Sequence, residues 1–364
     1  MARSPLFARF RTLLRAAQQN DDSLLHTRRR FLQAGAAAGA LTIAACASTP
    51  EKNAPVRAQP RIAIVGAGIA GLNCAYQLSK QNIRATIFEA ATRIGGRMQT
   101  NTGLLGPALS TELGGEFIDS GHEDMLALCK ELSLPLLDMQ DDTGVTENAW
   151  FFSGKHYTDK EIFEALKPLA SRLNTDAELS ALAPEEARES AAFKALDASS
   201  LADYLDAIGC TGWLRALIDV AFVTEYGLDP ADQSCLNMLC LLSTEGERFE
   251  PFGESDERFK VQGGNERVCT ELGKKLDGAI RLEHRLARVA GGKPFKLTFD
   301  TPRGAVEETF DVVVLALPFT ILRELELQVE LPEAKRRAIK ELGYGKNGKL
   351  IVGMDQRPWR MKGY

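Results

Sequence analysis

Outside the N-terminal region, the first unbroken apolar stretch is Ile62-Ala63-Ile64-Val65, and it runs into Gly66, Gly68 and Gly71. Such a run closed by a glycine turn predicts a buried strand, and the spacing beyond it predicts a helix opening near Ile69. A second strand follows in "ATIFE" and ends on Glu89. From 126 to 245 the apolar positions recur at three and four residues, in "MLALCKEL", "SLADYLDAIG" and "CLNMLCLLS", which marks amphipathic helices. Between 257 and 320 the pattern is mixed again. There "RFKVQGG" leads into a helix over Asn265 to Leu276, and "AIRLEH", "FKLTFD" and "FDVVVLALP" read as strands. Leu350-Ile351-Val352 reads as the start of one more strand.

Helix-rich sequence set between two α/β stretches predicts an α/β protein with one domain built from separated segments and a second looped out. The length of 364 residues agrees with two domains. The expected division assigns 61–125 and 256–320 to a Rossmann-like domain. A helical domain would take 126–255, with a second part at 321–364.

The segment ahead of these elements has other business. "TRRRFLQAGAAAGALTIAAC", Thr27 to Cys46, joins an arginine cluster to a short Ala/Gly-rich apolar run ending in small residues. These are the parts of a signal peptide, and Thr27 to Gln33 resembles a twin-arginine signal. The run is too short and too rich in Ala and Gly to predict a membrane span. Ile43-Ala44-Ala45-Cys46 resembles a bacterial lipobox, which makes Cys46 the expected lipidation site. Residues 1–46 are thus read as a targeting segment and 47–60 as a polar, proline-bearing tether. The expectation is a periplasmic protein exported by the twin-arginine machinery, touching a membrane only through a lipid anchor.

A net charge of −5 and a pI near 5.6 argue against nucleic acid as the main partner. The seven cysteines show no metal-ligand spacing and mostly fall in apolar helical patterns, so few or no disulfides and no metal site are expected. The four histidines are scattered.

The chemistry is carried by glycines. In Gly66-x-Gly68-x-x-Gly71 the first permits a tight turn, the second lets backbone approach a pyrophosphate, and the third lets helix pack on strand. The helix N-terminus, from Ile69 and Ala70 onward, offers amides and a positive dipole end to phosphates. Glu89, followed by Ala90, stands where an acid accepts from ribose hydroxyls and repels a 2′-phosphate. Further on, "EAATRIGGRMQT" sets Gly95 and Gly96 beside Arg93 and Arg97, a second loop suited to a pyrophosphate or flavin edge. Glycine pairs recur at Gly114-Gly115 and Gly263-Gly264.

Together "IVGAGIAGL", "EAATRIGGRMQT", "ELGGEFID", "VQGGNERV", "VVVLALP" and "GKLIVGMDQRPWR" resemble the flavin-dependent amine oxidases, a family that includes monoamine, polyamine and L-amino-acid oxidases. The resemblance runs from about Arg61 to the end. It implies FAD, a Rossmann-like FAD-binding domain with a substrate domain of helices and sheet, and oxidation of an amine or amino acid by hydride transfer to flavin N5, with O2 reduced to H2O2. Carried over by position, Gly66, Gly68 and Gly71 would bind pyrophosphate, Glu89 the adenosine ribose, and Arg97 the flavin side. Gly114, Gly115 and Glu116 would border the isoalloxazine, and Leu286 would meet the adenine. Ile69, Ala70, Ala90, Arg93 and Gly96 complete the cofactor-binding set. Lys349 matches the family's lysine that holds a water near N5 and is the expected catalytic residue. A buried lysine opening a strand would have a lowered pKa. Phe222, Tyr226 and Trp359 read first as packing rather than as an amine cage. The resemblance also implies a further glycine-rich flavin segment that the chain does not contain, so truncation is expected. The alternatives are a flavoprotein desaturase or dehydrogenase that reduces a quinone, and an inactive FAD-binding lipoprotein.

Overall fold

The computed structural model describes residues 59–107, 109–143, 149–242, 251–253 and 255–361. The targeting segment with Cys46, most of the tether and the side chain of Trp359 lie outside what is described. The chain divides into two units. One comprises 57–147, 254–344 and 348–364; the other comprises 148–253 with 345–347.

The first unit opens with β1 (Ile62–Val65), α1 (Ile69–Lys80) and β2 (Ala85–Phe88). It continues through β3 (Thr100–Thr102), β4 (Ser110–Glu112), α2 (Glu123–Glu131) and β5 (Leu136–Asp138). The second unit then runs β6 (Trp150–Phe152), β7 (Lys155–Tyr157), α3 (Asp159–Ser180), α4 (Pro184–Glu189), α5 (Ala191–Asp197), α6 (Leu201–Ala207), α7 (Gly212–Tyr226) and α8 (Leu236–Leu239). The chain returns to the first unit with β8 (Phe259–Val261), α9 (Glu266–Lys275) and β9 (Ile280–Arg281). Next come β10 (Arg285–Gly291), β11 (Phe295–Thr301), β12 (Gly304–Phe310) and β13 (Val312–Leu315). The last elements are α10 (Phe319–Leu322), β14 (Glu326–Gln328) and α11 (Glu333–Glu341).

In the first unit β13, β1, β2 and β9 form a parallel sheet in that order. All four residues of β1 are buried, as a central parallel strand covered on both faces requires, which is why its sequence is apolar without alternation. On one face Ile64 and Ile87 pack with Leu72 of α1 and with Val268 and Leu272 of α9. On the other, Val65 and Phe88 meet a second sheet, ordered β12-β11-β10-β14. Phe88 stacks on Phe299 with ring centroids 4.2 Å apart. The architecture is α/β, with helices, a parallel sheet and a mostly antiparallel sheet in layers.

Several strands differ from the reading of the sequence. β10 and β12 carry charges on their outer face, where Arg288 pairs with Glu307 at 2.7 Å, so neither shows an apolar run. β5, β6 and β7 are three residues each and fall inside the stretch expected to be helical. The Leu350-Ile351-Val352 run forms no strand: Leu350 is 89% and Val352 64% exposed. β propensity makes a strand only where a partner edge takes up its backbone groups, and no described segment pairs with this one.

The second unit packs its helices around Ile162, Leu173, Leu205, Leu217 and Phe222. Its longest helix, α3, starts from a capping box in which Thr158 and Glu161 satisfy each other's backbone N–H groups. Residues 345–347 attach at the end of α7. The Lys346 N–H donates to the Gly227 carbonyl at 2.9 Å, and Asn347 Nδ2 donates to the Thr224 carbonyl at 2.9 Å. Among the described residues no helix is long and apolar enough to cross a membrane, and no group of three His, Cys, Asp or Glu could hold a metal.

Candidate functional site

Three glycines after β1 do three different things. Gly66 has φ +105°, and a Cβ there would stand 2.6 Å from the Ala316 carbonyl oxygen. Gly71 faces back along the turn, where a Cβ would lie 1.9 Å from the Gly66 oxygen. Gly68 has nothing within 4 Å of the place its Cβ would take. The first two glycines are demanded by the protein's own packing. The third leaves an open approach to the N-terminus of α1.

That N-terminus has no side-chain cap, and the amides of Ala70 and Gly71 have no hydrogen-bond partner among the described residues. Unspent amides with the dipole behind them form an anion site. The Glu89 carboxylate closes one side of the turn, accepting from the Ala67 N–H at 2.8 Å and the Ala91 N–H at 2.9 Å. Each of its oxygens keeps a further lone pair for an external hydroxyl.

The second glycine loop lies against the first. Gly95 donates to the Ala67 carbonyl at 2.9 Å, and a Cβ on Gly96 would stand 3.3 Å from the Gly68 Cα. Arg93 spends its fork on this loop, donating to the carbonyls of Ile94 at 3.1 Å and Gly96 at 2.8 Å and to Gln99 at 3.0 Å. The Arg97 carbonyl accepts the Gly115 N–H at 3.0 Å, while its exposed guanidinium makes no hydrogen bond or ion pair among the described residues. With Gly96, Gln99, Leu113, Gly114 and Gly115, Arg97 lines a pocket of about 420 Å³. A Cβ on Gly114 would lie 1.8 Å from the Arg97 carbonyl oxygen, whereas Gly115 faces open space.

Beneath this pocket runs a polar network that the sequence did not announce. Asn265, 2% exposed, donates through Nδ2 to the carbonyls of Gly115 at 3.2 Å and Glu116 at 2.7 Å, and accepts the Val261 N–H at 2.8 Å. Its backbone N–H donates to the buried Glu112 at 2.9 Å, and Glu112 also accepts from Thr100 Oγ1 at 2.8 Å. Glu266 accepts the Thr100 N–H at 2.9 Å. The third glycine pair belongs here, since Gly264, at φ +106°, lies where a Cβ would collide with the Thr100 side chain. The signal available in the sequence was Asn265 and Glu266 directly after a glycine pair, and Glu112 one residue removed from the start of another.

Lys349 reaches the same loop. Its ammonium donates to the carbonyls of Glu112 and Gly114, both at 3.2 Å, and to Glu116 at 2.7 Å. It does not sit buried at the head of a strand: its side chain is 38% exposed, on an irregular segment. Glu116 also accepts from Lys260 at 2.7 Å. Burial pushes the Glu116 carboxyl up, but the hydrogen bonds and charges of Lys260 and Lys349 outweigh it and hold it below the ordinary value.

Leu286 stands apart from these loops. Its side chain is 4% exposed in the core beside Phe88 and Phe299. The register of β10 on β11 shifts between Leu286 and Arg288, so the backbone of Ala287 faces no partner on β11. Phe222 is fully buried in the helical unit, and Tyr226 donates its hydroxyl to the Asn237 carbonyl at 3.1 Å, which makes both packing residues.

A glycine turn, an acid at the second strand and a second arginine-bearing glycine loop narrow the choice to dinucleotide-binding proteins. The family model described as flavin containing amine oxidoreductase matches residues 69–363. The chain belongs to this family. FAD is therefore its cofactor. A chain named as a flavin-containing monoamine oxidase of Mycobacterium tuberculosis is 26% identical over 313 residues, covering 83% of this chain and 66% of the relative. An L-amino acid dehydrogenase of Synechocystis is 25% identical over 318 residues, covering 82% of this chain and 64% of that one. Among solved structures, a putrescine oxidase triple mutant superposes with a TM-score of 0.65 at 20% identity, over 79% of this chain and 64% of that one. That likeness shows the fold. The chain spans about two thirds of the length of these proteins.

The residues present fit the cofactor of the family. The bare approach at Gly68, the unspent amides of α1 and the unpaired Arg97 guanidinium make a cradle for a diphosphate that a side chain at Gly68 or Gly115 would fill.

Proposed function

We propose that this flavoprotein oxidises a primary or secondary amine, among monoamines, polyamines and L-amino acids, to the imine, with O2 reduced to H2O2. Bound FAD supplies the two-electron chemistry, accepting a hydride equivalent from the carbon that bears nitrogen. The chain's own residues bind, orient and shield. The amides of Ala70 and Gly71 and the Arg97 guanidinium would neutralise the diphosphate, and Glu89 would accept from the ribose hydroxyls. Gly114 and Gly115 would let a flat ring lie against backbone, on a loop that Asn265 holds rigid. Lys349 would present positive charge at the rim of that loop. The observation that carries this reading is the exposed Arg97 guanidinium, without a partner, beside the bare face of Gly96, Gly114 and Gly115.

The test uses the full chain, refolded or expressed with FAD. The expected result is a bound flavin absorption band, bleached anaerobically by at least one amine of a panel, with peroxide formed on admitting air. Bleaching without peroxide, but with quinone reduction, would favour a dehydrogenase, the reading to which the Synechocystis relative's name lends weight. A protein that holds no flavin defeats both. We propose in addition that the N-terminal segment directs export, with Cys46 lipidated. Loss of membrane association in Cys46→Ala, with export retained, is the expected outcome.

A further inference from the structure

Glu116 is shared by two lysines. It takes one hydrogen bond of 2.7 Å from Lys260 of β8 and another of 2.7 Å from Lys349, while the remaining Lys349 contacts are two neutral carbonyls at 3.2 Å. An ammonium has three donors, and these three acceptors account for all of them. The charged partner sets the geometry, because a charge-assisted bond is shorter and stronger than one to a carbonyl. Glu116 is itself fixed on both sides. Asn265 grips its carbonyl at 2.7 Å, and Lys260, lodged over the Phe117 ring at 4.3 Å, holds its carboxylate. The neighbouring acid, Glu112, is already occupied by the Asn265 N–H and the Thr100 hydroxyl, so it offers Lys349 only its backbone carbonyl. Lys349 lies on an irregular segment, where no strand pairing fixes its position.

We propose that Glu116 is the positioning residue for Lys349, holding its ammonium against the carbonyls of Glu112 and Gly114, with Lys260 steadying the carboxylate. This rests on the reading of the pocket as the flavin site for its meaning in catalysis, but not for its geometry. The two are tested separately.

In full chain labelled with 15N on the lysine side chains, an ammonium held in three hydrogen bonds exchanges slowly with water and gives a resolved signal. The Lys349 signal is identified by its loss in Lys349→Met. In Glu116→Gln the signal should vanish into fast exchange, at least about tenfold faster, with the near-ultraviolet circular dichroism unchanged. A Lys349 signal absent from the unmodified protein, or equally protected in Glu116→Gln, overturns the proposal. Should Glu116→Gln fail to fold, acid titration of the unmodified chain decides. The charged groups facing Glu116 are Lys260 and Lys349, and its carboxyl titrates below the ordinary range. Protection lost as the Glu116 carboxyl protonates supports the assignment; protection that outlasts it does not. In the FAD-loaded protein, Glu116→Gln should slow amine-driven bleaching about tenfold with little change in the amine concentration giving half-maximal rate. Equal rates count against the positioning role. An unmodified protein that no amine bleaches defeats the proposed function, while the ammonium signals still decide the role of Glu116.

Discussion

Two glycine-bearing stretches face different demands. At Gly66–Gly71 the backbone amides of Ala70 and Gly71 at the head of α1 are unspent and no side chain caps them. At Leu113–Glu116 three successive carbonyls are taken up, those of Gly114, Gly115 and Glu116 accepting from Lys349 and Asn265. The first stretch offers polar groups to a ligand; the second offers a bare face to the pocket while its carbonyls are held from behind. The lesson is that a ligand surface is marked by polar groups left without partners where space is open, while its support is marked by buried polar groups with none left over.

The contrast can be broken by substitution, and the largest effect should come where a glycine touches the protein itself. Gly71→Val drives a side chain into the Gly66 carbonyl and should cost about 3 kcal/mol or more of stability. The midpoint of urea unfolding measures it. Asn265→Ala should cost about 2 kcal/mol, since the buried Val261 N–H and the carbonyls it held lose their partner. The same unfolding experiment reads this loss, and an unchanged midpoint would mean that the network is not holding the loop. Next, Glu89→Gln should weaken FAD binding about tenfold, because the ribose hydroxyls lose a charged acceptor. Quenching of flavin fluorescence measures the affinity.

Gly68→Ala sharpens the comparison in the opposite sense. It should alter stability by no more than about 0.5 kcal/mol, since nothing lies near its Cβ, yet weaken FAD binding. A large drop in melting temperature would show that this glycine too serves the packing. The smallest effect is set by pH. The Glu116 carboxyl is held below its ordinary 4.5, so the ionised form is favoured in the folded state and its stabilisation is present above that pH. It is lost as pH falls through the lower folded value. The difference in urea midpoint between the unmodified chain and Glu116→Gln should therefore be seen at about pH 6 and shrink below pH 4.5.

Legibility followed the range of the interactions. β1, α1 and β2 could be read because a doubly covered strand must be apolar throughout and its turn needs glycine. β10 and β12 could not, because their outer faces are laced with ion pairs that hide the inner residues. The site divided in the same way. The glycines and Glu89 follow one another along the chain and carry their own pattern. Asn265 grips Gly115 from 150 residues away and Lys349 reaches Glu116 across 233, and nothing in the local sequence of either says so.

The sequence by itself determined the α/β class, the nucleotide-binding turn and the family, since each is written in residues whose backbone or burial demands are local. Only the tertiary structure decided that Leu350-Ile351-Val352 is no strand, that the third glycine pair packs on Thr100, and that Glu116 lies between two lysines. The physical reason is common to all three. A strand needs another strand's amides, a close approach needs the atom approached, and a charge takes its meaning from the charge beside it.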